Sequence, residues 1–224
     1  MPLPEQLPKP QALIFDLDGT LVDTVEARIE AWFQTFQEVG LETPRETLVP
    51  LIGLDGRRLA REVAALAGQP IDDHRAEEID KRSGEVYERL NDPRPLPGVR
   101  ELIDTIDAQH LKWAIATSSR KEQVMASVDA LGLPQEPLIV DASHVEHAKP
   151  EPDLLIEAAR QLGIDPGRCW YIGDSTWDMV AAVAAGMIPI GVTAGSAVDA
   201  QALNGAGAAT VVQTLTHVAK ALHP

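Results

Sequence analysis

Cysteine and basic residues are both scarce in this sequence. Cys169 is the only cysteine, so the chain cannot form an internal disulfide, and we interpret it as a buried thiol in a reducing, cytoplasmic environment. Lys and Arg number 19 against 34 Asp and Glu, which gives a net charge of −15. Nucleic-acid binding needs clustered basic residues, so this balance argues against a nucleic-acid partner.

Long uninterrupted apolar segments are also lacking. The N-terminal segment has no basic region followed by an apolar stretch, so no signal peptide is predicted. Residues 179–198 carry no charge and approach the length of a membrane span, but Gly186, Pro189, Gly191 and Gly195 interrupt them. We interpret this stretch as a short helix, a turn and a buried strand, and expect no membrane partner.

Short apolar runs alternate with amphipathic segments along most of the chain. Strands are predicted at 12–15, 113–117, 138–140, 169–172, 188–192 and 210–212. Helices are predicted near 99–109, 120–131, 152–162, 176–185 and 214–222. This alternation indicates an α/β fold, a parallel sheet with helices on both faces.

The segment 24–94 departs from this alternation. Apolar residues recur there with helical spacing in three places, no strand pattern intervenes, and prolines at 93, 95 and 97 precede Gly98. We therefore predict a catalytic α/β core formed by 1–23 and 95–224, with a small all-helical domain, 24–94, inserted after the first strand.

Acidic residues follow the first predicted strand directly. Asp16 and Asp18 lie two residues apart in Asp16-Leu17-Asp18-Gly19-Thr20, so both carboxylates project to one side of an extended backbone. Later strands end in Thr117-Ser118-Ser119 and Gly173-Asp174, and Lys149 follows the third strand. If the strands are parallel, all these groups converge on one edge of the sheet, where open α/β sheets bind ligands.

These four motifs, in this order, resemble the haloacid dehalogenase superfamily, and specifically its phosphatase and β-phosphoglucomutase-like branch with a helical cap on a Rossmann-like core. The resemblance runs from Ala12 to about Val192. It implies that Asp16 is the nucleophile and Asp18 the general acid/base. Thr117, Ser118 and Lys149 would bind the phosphoryl group. Mg²⁺ would be held by Asp16, the Asp18 carbonyl and Asp174, with Asp178 supporting them.

Electrostatics explains why such a site needs a cation. A carboxylate that attacks a phosphate monoester meets a group of nearly two negative charges, and each unit-charge pair at 4 Å costs roughly 4 kcal/mol at an effective dielectric near 20. A hard divalent ion with oxygen ligands offsets that repulsion. Asp18 must be protonated to act as the acid, and we expect neighbouring carboxylates to raise its pKa.

The leading hypothesis is a phosphatase that acts on a small phosphorylated metabolite, as a monomer or homodimer, through an aspartyl-phosphate. A sugar phosphomutase is the alternative, although relatives of that type typically carry His where this chain has Arg28. A dehalogenase lacks the second aspartate, and a phosphonate-cleaving enzyme needs a suitably placed cap lysine, for which Lys81 is a poor candidate. A signalling receiver or an inactive copy fits the motif set less well.

The helical insertion is the expected source of substrate selectivity. Arg57 and Arg58 follow Gly53-Leu54-Asp55-Gly56 in a turn that leads into a helix, and we predict that they contact the substrate. A solvated helix face is the competing interpretation of this pair.

Overall fold

A computed structural model describes residues 7–223 of the chain. Six parallel strands form one sheet in the order β3-β2-β1-β4-β5-β6. The strands are β1 (Ala12–Phe15), β2 (Lys112–Ala116), β3 (Leu138–Val140), β4 (Cys169–Gly173), β5 (Ile188–Val192) and β6 (Thr210–Val212). The α/β class, the predicted strands and their parallel pairing are thus confirmed. β2 begins and ends one residue earlier than the pattern predicts, and β4 ends one residue later.

Ten α-helices accompany the sheet within the described residues. They are α1 (Val25–Glu38), α2 (Arg45–Leu48), α3 (Gly56–Leu66), α4 (Asp73–Leu90), α5 (Val99–Ala108), α6 (Lys121–Ala130), α7 (Asp153–Leu162), α8 (Thr176–Ala184), α9 (Ala200–Gly205) and α10 (Leu215–Leu222). The short helices α2 and α9 have no counterpart among the predicted elements. No helix in 7–223 combines the length and the apolar character that crossing a membrane requires.

Alternating residues of the central strand build two cores. Leu13 and Phe15 join a cluster with residues of α5, α6 and α10, while Ala12 and Ile14 join a second cluster with residues of α7 and α8. Successive side chains of a strand point to opposite faces, so an uninterrupted apolar strand requires helices on both sides. Burial of β1 on both faces therefore fixes the three-layer architecture.

Helices α1 to α4 lie between β1 and α5 and form a third apolar cluster. Trp32 and Phe36 of α1 stack with ring centroids 5.4 Å apart, and they pack with Leu59 and Val63 of α3. The chain segments that enter and leave this helical segment run side by side, since Asp23 N–H donates to the Arg94 carbonyl at 2.8 Å. The division into a core and a helical cap domain remains a prediction.

Candidate active site

The strand order places the chemical groups beside one another. β1 lies between β2 and β4, so the residues that follow these three strands, Asp16, Thr117 and Asp174, meet at one edge of the sheet. Lys149 arrives from the loop between β3 and α7. In a sheet of this order, the carboxyl ends of the strands on either side of the reversal form the ligand-binding crevice.

Three buried carboxylates form a cluster at this edge. Asp16, Asp174 and Asp178 each place a carboxylate oxygen within 4.8 Å of the other two. Asp174 accepts one side-chain hydrogen bond from the described residues, from Thr20 Oγ1 at 3.0 Å. Burial, Asp178 and Asp16 raise the pKa of Asp174 well above its ordinary value. A buried carboxylate with so little compensation is typical of a cation ligand.

Lys149 is the cation that the protein itself supplies to the cluster. Its side chain is 1% exposed, and Nζ donates to Asp16 Oδ1 at 2.5 Å and to Asp178 Oδ1 at 2.8 Å. Burial opposes the charged form, but the two carboxylates outweigh it and raise the pKa of Lys149. Lys149 is therefore a fixed positive charge that faces the predicted nucleophile.

Burial also acts on the pKa of Asp16, raising it to about 7. Lys149 opposes this shift, and Asp178 adds to it. A cation bound beside Asp16 would favour its ionised form, which is the form that can act as a nucleophile.

Asp178 has both carboxylate oxygens engaged. Oδ2 accepts from the Ser175 backbone N–H at 2.9 Å and from its hydroxyl at 2.6 Å, closing a capping box at the start of α8. Oδ1 accepts from Lys149 and from Tyr171 Oη, the latter at 2.8 Å. Burial opposes ionisation, but the Lys149 and Ser175 contacts lower the pKa of Asp178. This geometry fits a residue that supports the cluster, with Asp16 and Asp174 better placed to ligate an ion.

These carboxylates suit a hard divalent cation. The ligands available at the cluster are carboxylate oxygens, which hard divalent cations prefer. Backbone geometry also matches a tight site, because Gly19 has φ of +81° and a Cβ there would lie 2.3 Å from Asp174 Oδ2. Only glycine allows the turn after β1 to approach Asp174 so closely.

Asp18 occupies a different environment from the one we expected. Its Oδ1 accepts from Thr24 Oγ1 at 2.7 Å and Tyr87 Oη at 3.1 Å. Its Oδ2 accepts from Arg28 Nη2 and Ser119 Oγ, each at 2.8 Å. The side chain of Asp18 is thus surrounded by hydrogen-bond donors rather than by the carboxylate cluster.

The expected rise in the pKa of Asp18 is therefore wrong. Burial favours such a rise, but the charge of Arg28 and the hydrogen bonds from Thr24 and Ser119 outweigh burial and lower the pKa. Opposite charge and donated hydrogen bonds both favour a carboxylate over a carboxylic acid.

Arg28 is a site residue that the sequence indicated only by its position. Its side chain is 13% exposed, and besides Asp18 it donates to Ser119 Oγ at 2.7 Å and to Gln123 Oε1 at 2.8 Å. Its guanidinium carbon lies 3.5 Å from the centre of the Tyr87 ring. The roles of Tyr87 and Gln123 were missed, because no local motif distinguishes a tyrosine on α4 or a glutamine on α6 from ordinary helix residues.

An inner cavity of about 70 Å³ opens onto these groups. It is lined by Asp16, Asp18, Asp174, Lys149, Thr117 and Ser118, together with residues from the helical segment such as Trp32 and Leu59. Ser118 Oγ is buried and has no hydrogen-bond partner among the described residues. An unpartnered hydroxyl beside Thr117 fits the predicted phosphate-binding role, since buried polar groups are normally satisfied.

A larger outer cleft of about 560 Å³ continues from the inner cavity. Arg57 lines the outer cleft and contacts Asp55 at 3.2 Å. Arg58 lies within 4.0 Å of Glu62 and 3.8 Å of Glu151, and it is not among the residues that line either space. The structure thus brings one of the two predicted substrate arginines to the entrance.

The chain resembles known proteins over most of its length. The family model described as haloacid dehalogenase-like hydrolase matches residues 13–192. A probable phosphatase, IndB, of Dickeya dadantii is 31% identical over 94% of this chain and 93% of its own. Fructose-1-phosphate phosphatase YqaB of Escherichia coli is 32% identical over 78% of this chain and 92% of its own.

One solved structure is similar to this chain in both fold and sequence. The crystal structure of a hydrolase from Pseudomonas syringae is 33% identical, with a TM-score of 0.88 over 93% of this chain and 96% of that one.

Proposed function

Since the chain belongs to the haloacid dehalogenase-like hydrolase family and is a phosphoric monoester hydrolase, we propose that it is a Mg²⁺-dependent phosphatase of a small phosphorylated metabolite. One observation carries the proposal. Asp16 lies against the buried Lys149 and next to Asp174, at the inner end of a cavity that also presents the Ser118 hydroxyl.

In the proposed reaction, the Asp16 carboxylate attacks phosphorus, and the bond between phosphorus and the leaving oxygen breaks. The leaving oxygen takes a proton from Asp18, which must be in its carboxylic acid form at this step although the surrounding donors favour the carboxylate; the proton taken from water in the next step restores that form. Water then attacks the phosphorus of the aspartyl-phosphate and gives a proton to the Asp18 carboxylate. The bond between phosphorus and Asp16 breaks, so inorganic phosphate is released and the Asp16 carboxylate is restored. Each step forms one bond to phosphorus and breaks one.

The surrounding groups neutralise the incoming charge. Lys149 faces Asp16 and would pair with a phosphoryl oxygen, while Thr117 and Ser118 would donate hydrogen bonds to others. Mg²⁺ held by Asp16 and Asp174 would supply the remaining positive charge against the phosphate dianion. The four donors around Asp18 hold its carboxylate in place and keep it ready to accept the proton from water.

Hydrolysis of p-nitrophenyl phosphate tests this proposal. We expect activity with Mg²⁺ and none in excess chelator. Asp16→Asn should be inactive while keeping the melting temperature and circular dichroism spectrum of a folded protein. Asp23→Asn is the matched control, because Asp23 lies in the same segment but is exposed, and it should stay active. Activity that persists in chelator or in Asp16→Asn would reject the mechanism.

A sugar phosphomutase is the second candidate, supported by the likeness to β-phosphoglucomutase of Bacillus subtilis, 28% identical over 83% of this chain. The two functions differ in the fate of the phosphoryl group. Incubation with a hexose 1-phosphate and hexose 6-phosphate, followed by measurement of free phosphate and of the isomer ratio, separates them. We expect phosphate release to exceed isomerisation.

The relatives also suggest which substrates to test first. Their names include fructose-1-phosphate phosphatase, hexitol phosphatase A and N-acetylmuramic acid 6-phosphate phosphatase. We propose that a panel of sugar and sugar-alcohol phosphates contains the preferred substrate of this chain.

A further inference from the structure

An ion pair stands between the inner cavity and the outer cleft. Asp80 of α4 and Arg120, the residue that precedes α6, line both spaces. Arg120 Nε and Nη2 donate to Asp80 Oδ2 at 2.9 and 2.5 Å, and Nη2 also donates to Glu77 Oε1 at 2.8 Å. Any leaving group that extends from the inner cavity into the cleft must pass this pair.

Asp80 is held in place from a second side. Its side chain is 14% exposed, and it packs on the first residue of α3, where a Cβ on Gly56 would lie 1.9 Å from Asp80 Oδ1. Carboxylates are favoured near helix N-termini, and glycine leaves the room for this contact. The Arg120 side chain is 35% exposed, and a partly exposed ion pair stabilises a fold little, so the position of this pair at the entrance points to a role in selection.

The entrance carries no excess of positive charge. The outer cleft is lined by the carboxylates of Asp55, Glu77, Asp80 and Glu146 and by the cations Arg57, Arg120 and Lys121. Two of these cations are already paired, Arg57 with Asp55 and Arg120 with Asp80 and Glu77. A second phosphoryl group on the substrate would therefore meet carboxylates and find both arginines occupied.

We propose that the Asp80–Arg120 pair selects substrates whose leaving group is uncharged, by occupying the guanidinium that would otherwise bind a second anionic group. The proposal rests on the proposed function, since the phosphoryl group is assigned to the inner cavity. It also disfavours the phosphomutase, because an enzyme that returns a phosphoryl group to a sugar phosphate must hold a bisphosphate.

The test compares two substrates with the same ester. We measure kcat/KM for fructose 1-phosphate and fructose 1,6-bisphosphate with Mg²⁺, in the wild type and in Asp80→Asn, which keeps the shape of the side chain but leaves Arg120 with Glu77 as its one charged partner among the described residues. We expect the wild type to prefer the monophosphate at least tenfold and Asp80→Asn to lose most of that preference. Glu78→Gln is the matched control, because Glu78 is on the same helix but pairs with Arg75, and its preference should be unchanged.

A double variant identifies the group responsible. If Arg120 binds the second phosphate in Asp80→Asn, the double variant Asp80→Asn, Arg120→Gln should lose the increase in kcat/KM for the bisphosphate that Asp80→Asn shows. If Asp80→Asn does not fold, Glu77→Gln, which removes the other carboxylate on Arg120, should shift the preference in the same direction by a smaller factor. Equal kcat/KM values for the two esters in the wild type, or an unchanged ratio in every folded variant, would overturn the proposal.

Failure of this inference can be told from failure of the proposed function. A wild type that does not hydrolyse p-nitrophenyl phosphate with Mg²⁺ contradicts the phosphatase assignment. A wild type that hydrolyses p-nitrophenyl phosphate but has equal kcat/KM values for the two fructose esters contradicts only the role proposed for Asp80 and Arg120.

Discussion

Replacing each of two neighbouring buried aspartates by asparagine should change stability in opposite directions. In metal-free protein, one carboxylate oxygen of Asp174 lies within 4.8 Å of a carboxylate oxygen of Asp16 and of one of Asp178. At an effective dielectric near 20, each such pair costs about 3.5 kcal/mol, or about 7 kcal/mol for two. The attraction of Lys149 offsets part of this cost, and protonation of the carboxylates relieves more of it. Asp174→Asn keeps an oxygen for Thr20 and should raise the free energy of unfolding by about 1–3 kcal/mol.

Asp178→Asn provides the contrast, because the same chemical change meets the opposite environment. Asp178 accepts hydrogen bonds from Lys149, Tyr171 and Ser175, and these contacts lower its pKa against the effect of burial. Removing its charge leaves Lys149 with a single carboxylate. We expect a loss of about 3–5 kcal/mol, the range for breaking a buried ion pair.

Thermal and urea unfolding in chelator at pH 7.5 measures both variants. For a chain of this length, 1 kcal/mol corresponds to about 2–4 °C, so Asp174→Asn should melt about 2–12 °C above the wild type. Added Mg²⁺ should raise the melting temperature of the wild type but not that of Asp174→Asn. If Asp174→Asn is destabilised in chelator as strongly as Asp178→Asn, the electrostatic account of the cluster is wrong.

Three further predictions concern the residues around this cluster. In chelator, the free energy of unfolding of the wild type should fall as the pH rises from 4 to about 7, because Asp16 and Asp174 have raised pKa values in the folded protein and keep a proton that the unfolded chain releases. Urea titrations should show a fall of about 1.4 kcal/mol per pH unit for each such carboxyl group. Added Mg²⁺ should make this dependence on pH weaker. Gly84→Ala should lower kcat/KM several-fold and stability by about 1 kcal/mol despite the better helix propensity, because the new Cβ would lie 2.3 Å from Gln123 Nε2. Gly205→Ala, with nothing within 4 Å, is its control and should be neutral or stabilising in the same unfolding assay. A lysine at position 28 cannot make the hydrogen bonds to Asp18, Ser119 and Gln123 at the same time. Steady-state assays of Arg28→Lys should therefore show kcat reduced about tenfold. An unchanged kcat would exclude a role for the guanidinium.

The fold was predictable because its signals are local. The run Ala12–Phe15 is apolar at every position, as expected of a strand buried on both faces, and glycines at 132, 163 and 186 mark the ends of predicted helices. Helix α9 was missed because Ala200–Gly205 is short and contains one buried apolar residue, Leu203. A single apolar position carries no periodicity, so only packing against the sheet defines this helix.

The meeting of Asp16, Lys149 and Asp174 also followed from the sequence, once the strands were taken as parallel. Each residue directly follows a strand or lies in the loop after one, and parallel strands deliver their carboxyl ends to one edge. The environment of Asp18 did not follow in this way. Tyr87 is 69 residues away and Ser119 is 101 residues away, so no local pattern relates them to the motif.

The sequence by itself determined the succession of strands and helices along the chain, the acidic motif after β1, and the family to which the chain belongs. These features could be predicted because periodicity, turn residues and motif spacing are properties of residues that are close in the sequence. The tertiary structure decided which groups surround each carboxylate: donors at Asp18, other carboxylates at Asp174, and Arg120 at Asp80. The physical reason is that the pKa of a buried group and the charge of a cavity depend on contacts within a few ångströms, and helices distant in the chain supply those contacts only after folding.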